Sequence, residues 1–262
     1  MLLMFSSLQD WSATGHDLRS IWIEIVGRFG VTALVVLGLV LVVIAILRRN
    51  RYRAVDVLGD ADLERLHEAI ATAEKKTVGE ILPVIVERSD AHPQAAWIAG
   101  LFSFLFGCVL LVTWLPWDSP ALLLAIQIGL GLLGFVLARL LPDFRRRFIS
   151  EGRATEMATE QALQEFYGHG LQETEAKTGV LLFVSLLEHR VIVLADEGIN
   201  AKVEEAQWVE TNEAILAGIR AGSLCDGLAN GIERAGELLG EHFPWAEGDR
   251  NEIPDRIIVR RE

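Results

Sequence analysis

The sequence predicts a membrane-anchored α/β protein, and the α/β part is indicated by a pair of short apolar runs. Residues 180–187 and 191–194 are apolar, and Glu188, His189 and Arg190 separate them. Runs of this length, bounded by Thr-Gly and Asp-Glu-Gly, are typical of two buried strands joined by a tight hairpin. Strands without polar alternation are usually covered on both faces, so we expect helices on both sides of this sheet.

The membrane anchor is indicated by three apolar segments, residues 29–47, 95–115 and 121–141. Each has about the ~20 residues that a helix needs to cross the hydrocarbon core of a bilayer. These segments account for the hydrophobic share of 51% and the mean hydropathy of +0.33. We expect three transmembrane helices. The first is a retained anchor, because it ends in arginines and lacks the small-residue cleavage site of a targeting peptide.

The positions of the arginines predict the orientation in the membrane. One cluster follows the first apolar segment and another follows the third, whereas the loop 116–120 has no positive charge: Arg48, Arg49, Arg51, Arg53; Arg145, Arg146, Arg147, Arg153. Both clusters lie on one side after three crossings, and the positive-inside rule makes that side cytoplasmic. The N-terminus then lies outside. Contact with anionic membrane lipids is a second expected role of the clusters.

The overall charge and the cysteines exclude some functions. A net charge of −12 argues against general affinity for nucleic acid. Cys108 and Cys225 form no CxxC pair and no disulfide framework. No acidic or basic residue lies at the middle of a predicted span, where a transport pathway normally needs one, so we do not expect a transporter or channel.

The segment before the first span and the helix after it have distinct patterns. Residues 1–28 carry Trp11 and Trp22, and this external arm is expected either to lie along the outer interface or to contact a partner. Residues 60–90 form the first part of the α/β domain. They predict a helix that is capped by Asp60 or Asp62 and runs to about Lys76, with its apolar face formed by Leu63, Leu66, Ile70 and Ala73.

A strand at residues 80–87 follows that helix. Pro83 lies inside it and cannot donate a hydrogen bond, so we expect this strand at the edge of the sheet or with a bulge. The similarity between the segments at 76–86 and 177–186 indicates two helix–turn–strand entries into one sheet.

Small residues in the second and third spans predict close helix packing. They fall on three faces: Gly100, Ser103 and Gly107; Gly131, Gly134 and Ala138; Ala125 and Gly129. Because small residues let membrane helices approach closely, the two spans are expected to pack on each other or on helices of another protein.

Residues 144–262 hold the main part of the α/β domain. We expect a long helix over 144–167, the two strands, and helices over 204–221 and 224–241 that are separated by Gly222 and Ser223. The core face of the first of these two helices is expected to comprise Trp208, Ile215, Leu216 and Ile219. Residues 256–259 are expected to form a last short strand.

This order of short signals resembles the TPM domain. The resemblance rests on the strand that opens Thr-Gly-Val-Leu, the hairpin, Ala-Asp-Glu-Gly-Ile, the helix with Trp208, the segment from Gly227 to Ile232, and the His-Phe-Pro tail. The family is named for a thylakoid lumen protein, a photosystem II repair protein and a nematode acetylcholine-receptor accessory protein. The resemblance implies a small mixed β-sheet sandwiched by helices, here interrupted by a transmembrane hairpin and preceded by an N-terminal transmembrane anchor. It also implies a bacterial inner-membrane protein.

The candidate site is the Asp196-Glu197-Gly198 turn, because loops after the strands of α/β sheets often bind ligands. Carboxylates at Asp196 and Glu197, with Asp226 brought near by the fold, are the ligands that Ca²⁺ or Mg²⁺ prefers. Some TPM proteins are described as acid phosphatases or Ca²⁺ binders, which the resemblance extends to this chain as a possibility. The competing interpretation is a solvated turn with acids that cap helices.

Two functions follow from these observations, and a lipid-responsive scaffold that acts through the arginine clusters is a third option. The first is a non-enzymatic accessory or assembly subunit of a larger inner-membrane complex, contacting its partner through the spans and the N-terminal arm. The alternative is a membrane-anchored, divalent-metal-dependent acid phosphatase. The sequence has no P-loop, no GxSxG and no Cys-x5-Arg phosphatase loop.

Overall fold

The computed structural model describes residues 58–114 and 120–260. The predicted arm at 1–28, the first predicted span at 29–47 and the first arginine cluster lie outside the described residues. The elements of the described chain are, in order, α1 (Asp60–Glu74), β1 (Glu80–Val86), α2 (Pro93–Trp114), α3 (Pro120–Leu140), α4 (Pro142–Arg146), α5 (Glu151–Gly168), β2 (Gly179–Ser185), β3 (Arg190–Ala195), α6 (Glu197–Asn200), α7 (Val209–Ala221), α8 (Leu224–His242) and β4 (Ile258–Arg260).

The strands form one mixed sheet in the order β3-β2-β1-β4. β1 is parallel to β2 and to β4, whereas β3 is antiparallel to β2. The predicted hairpin between β2 and β3 is confirmed, with a turn at residues 186–189. His189 takes the turn's left-handed conformation at φ 52°, the role that Gly or Asn usually fills.

Helices cover both faces of the sheet. On one face, Ile81, Ile85, Val180 and Leu182 pack in a cluster with residues of α1, α7 and α8. On the other face, Leu82, Val84, Leu181 and Phe183 pack with residues of α5. Because alternate residues of a strand point to opposite faces, both strands must be apolar throughout, which explains their uninterrupted runs.

The expectation that β1 lies at an edge is wrong, because β1 has β2 on one side and β4 on the other. The N–H of Glu80 donates to Thr178 of the β2 side, and the N–H of Ile81 points the other way, to Glu74. Successive N–H groups of a strand point to opposite sides, so an N–H at position 83 would point towards β4. Pro83 has no N–H to donate there. β4 pairs only with Val84–Val86, so no ladder bond is lost at Pro83.

Within the described residues, three of the predicted helices differ at their ends. The helix expected over 204–221 begins at Val209 as α7, after a 3-10 helix at Glu205–Trp208. α1 begins after Gly59, which is its capping residue. The Gly59 N–H donates to the Asp62 side chain at 3.0 Å, so Asp62 stabilises the start of the helix from inside its first turn. The single helix expected over 144–167 is two helices, α4 and α5. Ser150 separates them by accepting a hydrogen bond from the Arg153 N–H at 3.3 Å.

Two glycines of the TPM-like segment bring α7 and α8 together. A Cβ added at Gly227 would lie 2.6 Å from the carbonyl oxygen of Ile215, and one added at Gly231 would meet the Ile215 side chain. The backbone contact at Gly227 leaves no room for a side chain, and a side chain at Gly231 would displace that of Ile215.

α2 and α3 form an apolar hairpin, the element expected between the two parts of the domain. By length and composition, the described residues include one segment able to cross a membrane, Leu123–Leu140, and a shorter apolar one, Pro93–Val109. Gly100 contacts the Gly131 backbone, and Gly134 lies against Ser103 and Ala99. Two of the three predicted small-residue faces thus pack on each other. No atom of the described residues lies within 4 Å of a Cβ added at Gly129.

The hairpin joins the domain beside α4. Ala96, Ala99 and Ala138 are buried in a cluster with Phe144 and Phe148. Phe148 lies between α4 and α5, so the base of the hairpin packs on the segment that leads back into the domain.

Candidate functional site

The direction of β3 decides where the predicted site lies. Because β3 is antiparallel to β2, its carboxyl end lies beside the amino end of β2, and the Asp196 N–H donates to the Gly179 carbonyl at 2.9 Å. The carboxyl ends of the parallel strands β1, β2 and β4 meet at the opposite edge of the sheet. Asp196 and Glu197 therefore do not occupy the edge at which α/β sheets usually bind ligands.

The Asp196-Glu197-Gly198 turn has a local structural role. Asp196 Oδ1 accepts a hydrogen bond from the Glu197 N–H at 2.7 Å and so begins α6. Gly198 lies against the Ala176–Lys177 loop, and an added Cβ would be 2.6 Å from both carbonyl oxygens of that loop. Asp196 Oδ2 is buried and has no hydrogen-bond partner among the described residues.

Asp226 lies in the first turn of α8 and pairs with α1. Its Oδ1 is 2.6 Å from Arg65 Nη1, and its backbone N–H donates to Ser223 Oγ. Hydrogen bonding at Ser223 and then at Arg65 lowers the pKa of Asp226. Within the described residues, no group of three or more His, Cys, Asp and Glu side chains could hold a metal ion. The three predicted carboxylates are thus not brought together.

A different polar cluster lies at the carboxyl edge of β1 and β2, and we call it the junction cluster: Ser89, Asp90, His92, Arg145, Ser185 and Glu188. Its centre is the pair of His92 and Glu188, whose side chains are fully buried with Nε2 and Oε1 2.6 Å apart. The Ser89 N–H donates to both Glu188 oxygens at 3.1 Å, and the Ser185 hydroxyl also bonds to the carboxylate. His92 has φ 44°, an uncommon conformation for a residue with a side chain.

The hydrogen bonds of the junction cluster favour the ionised form of Glu188. Burial is the largest single influence and raises the pKa of Glu188, but the hydrogen bonds from His92, Ser185 and Ser89 together outweigh it and lower the pKa. The cluster therefore holds a buried carboxylate between the sheet and the base of the hairpin.

Several other polar atoms of the junction cluster are buried without a hydrogen bond to any described residue: Ser89 Oγ, Asp90 Oδ2, His92 Nδ1 and Arg145 Nε. Asp90 Oδ2 lies 3.5 Å from His92 Nδ1 and 3.6 Å from Arg153 Nη2, which are longer ion-pair distances. Arg145 Nη1 donates to the Ala91 carbonyl at 3.4 Å. The cluster thus links the loop after β1 to α4 and α5.

An arginine-lined cavity of about 480 Å³ adjoins the junction cluster. It is lined by residues of α4, of the start of α5 and of the β2–β3 turn: Asp143, Arg146, Arg147, Ile149, Glu151, Ala154 and Glu188. Arg146 Nη1 lies 3.4 Å from His189 Nε2. Burial and then the charge of Arg146 lower the pKa of His189, so a neutral imidazole is favoured beside this arginine.

Only part of this site can be predicted from the sequence. Ser185 lies inside the first apolar run, and Glu188 and His189 lie in the polar break predicted between the strands. In the structure, Glu188 is buried and His189 is half-buried. His92 is separated from Glu188 by 96 positions that include the whole hairpin, so the pairing required the tertiary structure.

The NMR structure of the BA42 protein from the psychrophilic bacterium Bizionia argentinensis is similar with a TM-score of 0.49 and 22% identity, over 78% of this chain and 95% of that chain. No family model matches this sequence, and no curated protein does.

Proposed function

We propose that this chain is a membrane-anchored, non-enzymatic accessory or assembly subunit of a larger inner-membrane complex, with its α/β domain in the cytoplasm. The observation that carries the proposal is the apolar outer surface of the α2–α3 hairpin. Large side chains that would be costly to leave in water are exposed along both helices, among them Trp97 at 69%, Leu101 at 60% and Leu132 at 60%.

The dimensions of the hairpin support its insertion in a bilayer. The 21 residues of α3 correspond to about 31 Å of helix, close to the ~30 Å of a typical hydrocarbon core. The adjacent arginines Arg145, Arg146 and Arg147 support a cytoplasmic position for the domain end of the hairpin. The predicted first span and N-terminal arm complete this proposed topology, with three crossings and an external N-terminus.

The accessory role is supported by the way in which the domain is attached. The junction cluster and the cluster around Phe144 hold the hairpin base against the carboxyl edge of the sheet. A domain attached in this way presents one defined surface at the membrane, as docking to a larger complex requires. In the described part of the chain, Ala125 and Gly129 on α3 are exposed, and small residues of this kind favour close packing against a helix of a partner.

We also infer that the α/β part is a TPM-type domain. The inference is supported by the mixed sheet with helices on both faces, by Trp208 in the core, and by the close α7–α8 contact at Gly227 and Gly231.

Photo-crosslinking in native membranes tests the accessory role. A benzophenone amino acid at Ile128 or Leu132 on α3 is expected to form an adduct with one partner protein, and the same partner should migrate with the chain on native gels. The matched control is the same probe at Glu237, on the exposed side of α8. Adducts with lipid alone, together with migration as a lone chain, would contradict the proposal.

Cysteine labelling tests the topology. In a background with Cys108 and Cys225 replaced by serine, Glu237→Cys should react with an impermeant maleimide in inverted vesicles and not in intact spheroplasts. Reaction in intact spheroplasts would place the domain outside.

A further inference from the structure

The arginine-lined cavity lies where the hairpin enters the α/β domain. α3 ends at Leu140, and α4 follows after Leu141 alone. α4 carries Arg146, and Arg147 follows at its end. With the hairpin in the bilayer, these residues lie at the depth of the lipid headgroups on the cytoplasmic side.

Two of the three carboxylates that line the cavity pair with residues other than its arginines. Glu151 forms an ion pair with Arg190. Glu188 accepts a hydrogen bond from the Ser89 N–H and pairs with the buried His92 ring. Asp143 also lines the cavity. The exposed Arg147 side chain lines the cavity, and among the described residues its guanidinium forms no hydrogen bond or ion pair.

Arg146 uses one of its five side-chain N–H groups within the described chain. Its Nη1 lies 3.4 Å from His189 Nε2. The lowered pKa of His189 reflects the positive charge that Arg146 places here, after the effect of burial. Arg146 and Arg147 both line the cavity, and guanidinium groups bind phosphate oxygens through paired hydrogen bonds.

The size of the cavity agrees with such a ligand. Its volume of about 480 Å³ falls within the ~300–1,000 Å³ of ligand-binding cavities.

We propose that the arginine-lined cavity binds the phosphate of an anionic phospholipid headgroup, with Arg146 and Arg147 as its ligands. The bound lipid fixes the domain against the membrane surface beside the junction cluster. The proposal rests on the proposed membrane insertion of the hairpin.

Native mass spectrometry of the full chain tests the proposal. The chain is reconstituted in nanodiscs of mixed phosphatidylglycerol and phosphatidylcholine, released, and examined for bound lipid. The wild-type chain is expected to retain phosphatidylglycerol in preference to phosphatidylcholine. Arg147→Gln and Arg146→Gln should each reduce this affinity about tenfold, since charge-assisted hydrogen bonds are lost. The matched control is Arg220→Gln, an exposed arginine at the end of α7.

The outcomes separate the two proposals. A chain that does not enter nanodiscs contradicts membrane insertion and with it the lipid site. A chain that enters nanodiscs but shows no preference for phosphatidylglycerol, or the same preference in the Arg146→Gln/Arg147→Gln double variant, contradicts the lipid site alone. Inorganic phosphate is titrated in parallel: if it raises the melting temperature of the wild type and displaces the lipid at millimolar concentration, the site is one for free phosphate and the lipid assignment is overturned.

Discussion

Glu188 is a carboxylate whose side chain is buried without solvent contact. It is stabilised by three donors that come from different parts of the chain: the His92 ring, the Ser89 N–H and the Ser185 hydroxyl. Because a buried carboxylate without donors would be costly, these groups are interdependent. The junction cluster is therefore expected to contribute to stability as a unit.

Glu188→Gln is expected to destabilise the protein by about 1–3 kcal/mol at pH 7, because an amide cannot accept at both positions where the carboxylate does. The lowered pKa of Glu188 means that the stabilisation is present above the unfolded pKa and is lost as the pH falls through the folded one. The difference from wild type should therefore shrink in acid. Thermal unfolding of the full chain in mild detergent measures it, with Glu237→Gln as the exposed control. Equal melting temperatures at pH 7 would contradict the expectation.

Glu74 presents the opposite case. Burial raises the pKa of Glu74 to about 9, and the neighbouring charges of Glu80 and Asp255 act in the same direction. The unfolded chain releases this proton near pH 4.5, whereas the folded chain keeps it. Stability linked to Glu74 is therefore full below the unfolded pKa and is lost as the pH rises towards the folded one.

Glu74→Gln should remove this pH dependence. The amide oxygen can still accept the Ile81 N–H, which lies 2.9 Å from Oε1. We expect the variant to be more stable than wild type at pH 8 by roughly 1–3 kcal/mol and to show little difference at pH 5. Melting curves between pH 5 and 9 check this. A parallel loss of stability in both chains would show that Glu74 ionises normally.

Among the elements, the hairpin shows how small residues set a helix contact. The same class of residue occurs on two faces of α3, but only the face of Gly131 and Gly134 meets α2. A Cβ at Gly134 would lie 2.9 Å from the Ala99 carbonyl oxygen. This oxygen belongs to the backbone of α2, so the helix itself would have to shift to make room. The position of Gly129 is open in the described chain.

Gly134→Ala is therefore expected to destabilise the hairpin by about 1–3 kcal/mol through overpacking. Gly129→Ala, the matched control, should be neutral or stabilising by up to about 1 kcal/mol because alanine favours the helix. Both are compared with wild type by thermal unfolding in mild detergent. An equal effect of the two substitutions would contradict the packing of α2 on α3 through Gly134.

The strands illustrate a different limit. The apolar runs of β1 and β2 predicted their burial, and the similar entries into them are explained by adjacent parallel strands in register from Glu80 and Gly179. Their neighbours were not predictable from the runs. Pro83 favoured an edge position for β1, yet the short β4 pairs with β1 from Val84, the residue after Pro83.

At the scale of the whole molecule, the positions of the acidic residues bear on metal binding. Asp196 caps α6 at one edge of the sheet, and Asp226 pairs with Arg65 between α1 and α8. We therefore expect millimolar Ca²⁺ or Mg²⁺, or their removal with EDTA, to shift the melting temperature by less than about 1 °C, since linkage requires a site that binds the folded state. A larger shift that disappears in Asp196→Asn, with metal-dependent hydrolysis of a phosphate ester, would instead support the phosphatase.

The sequence by itself determined the elements and their environments. Uninterrupted apolar runs predicted strands covered on both faces, helical spacing predicted Leu66, Ile70 and Ala73 in the core, and Gly222 with Ser223 predicted the break between two helices. These features depend on neighbours along the chain, where spacing, capping and backbone freedom act directly.

Only the tertiary structure decided which residues meet. The parallel pairing of β1 with β2 and β4 placed their carboxyl ends at the edge opposite Asp196, and the return of the chain after the hairpin brought Glu188 to His92 and Arg146 to His189. Such contacts join residues that are far apart in sequence, and their energy depends on burial and strand direction. Burial and strand direction cannot be derived from neighbouring residues alone, so the candidate site could be identified only in the folded chain.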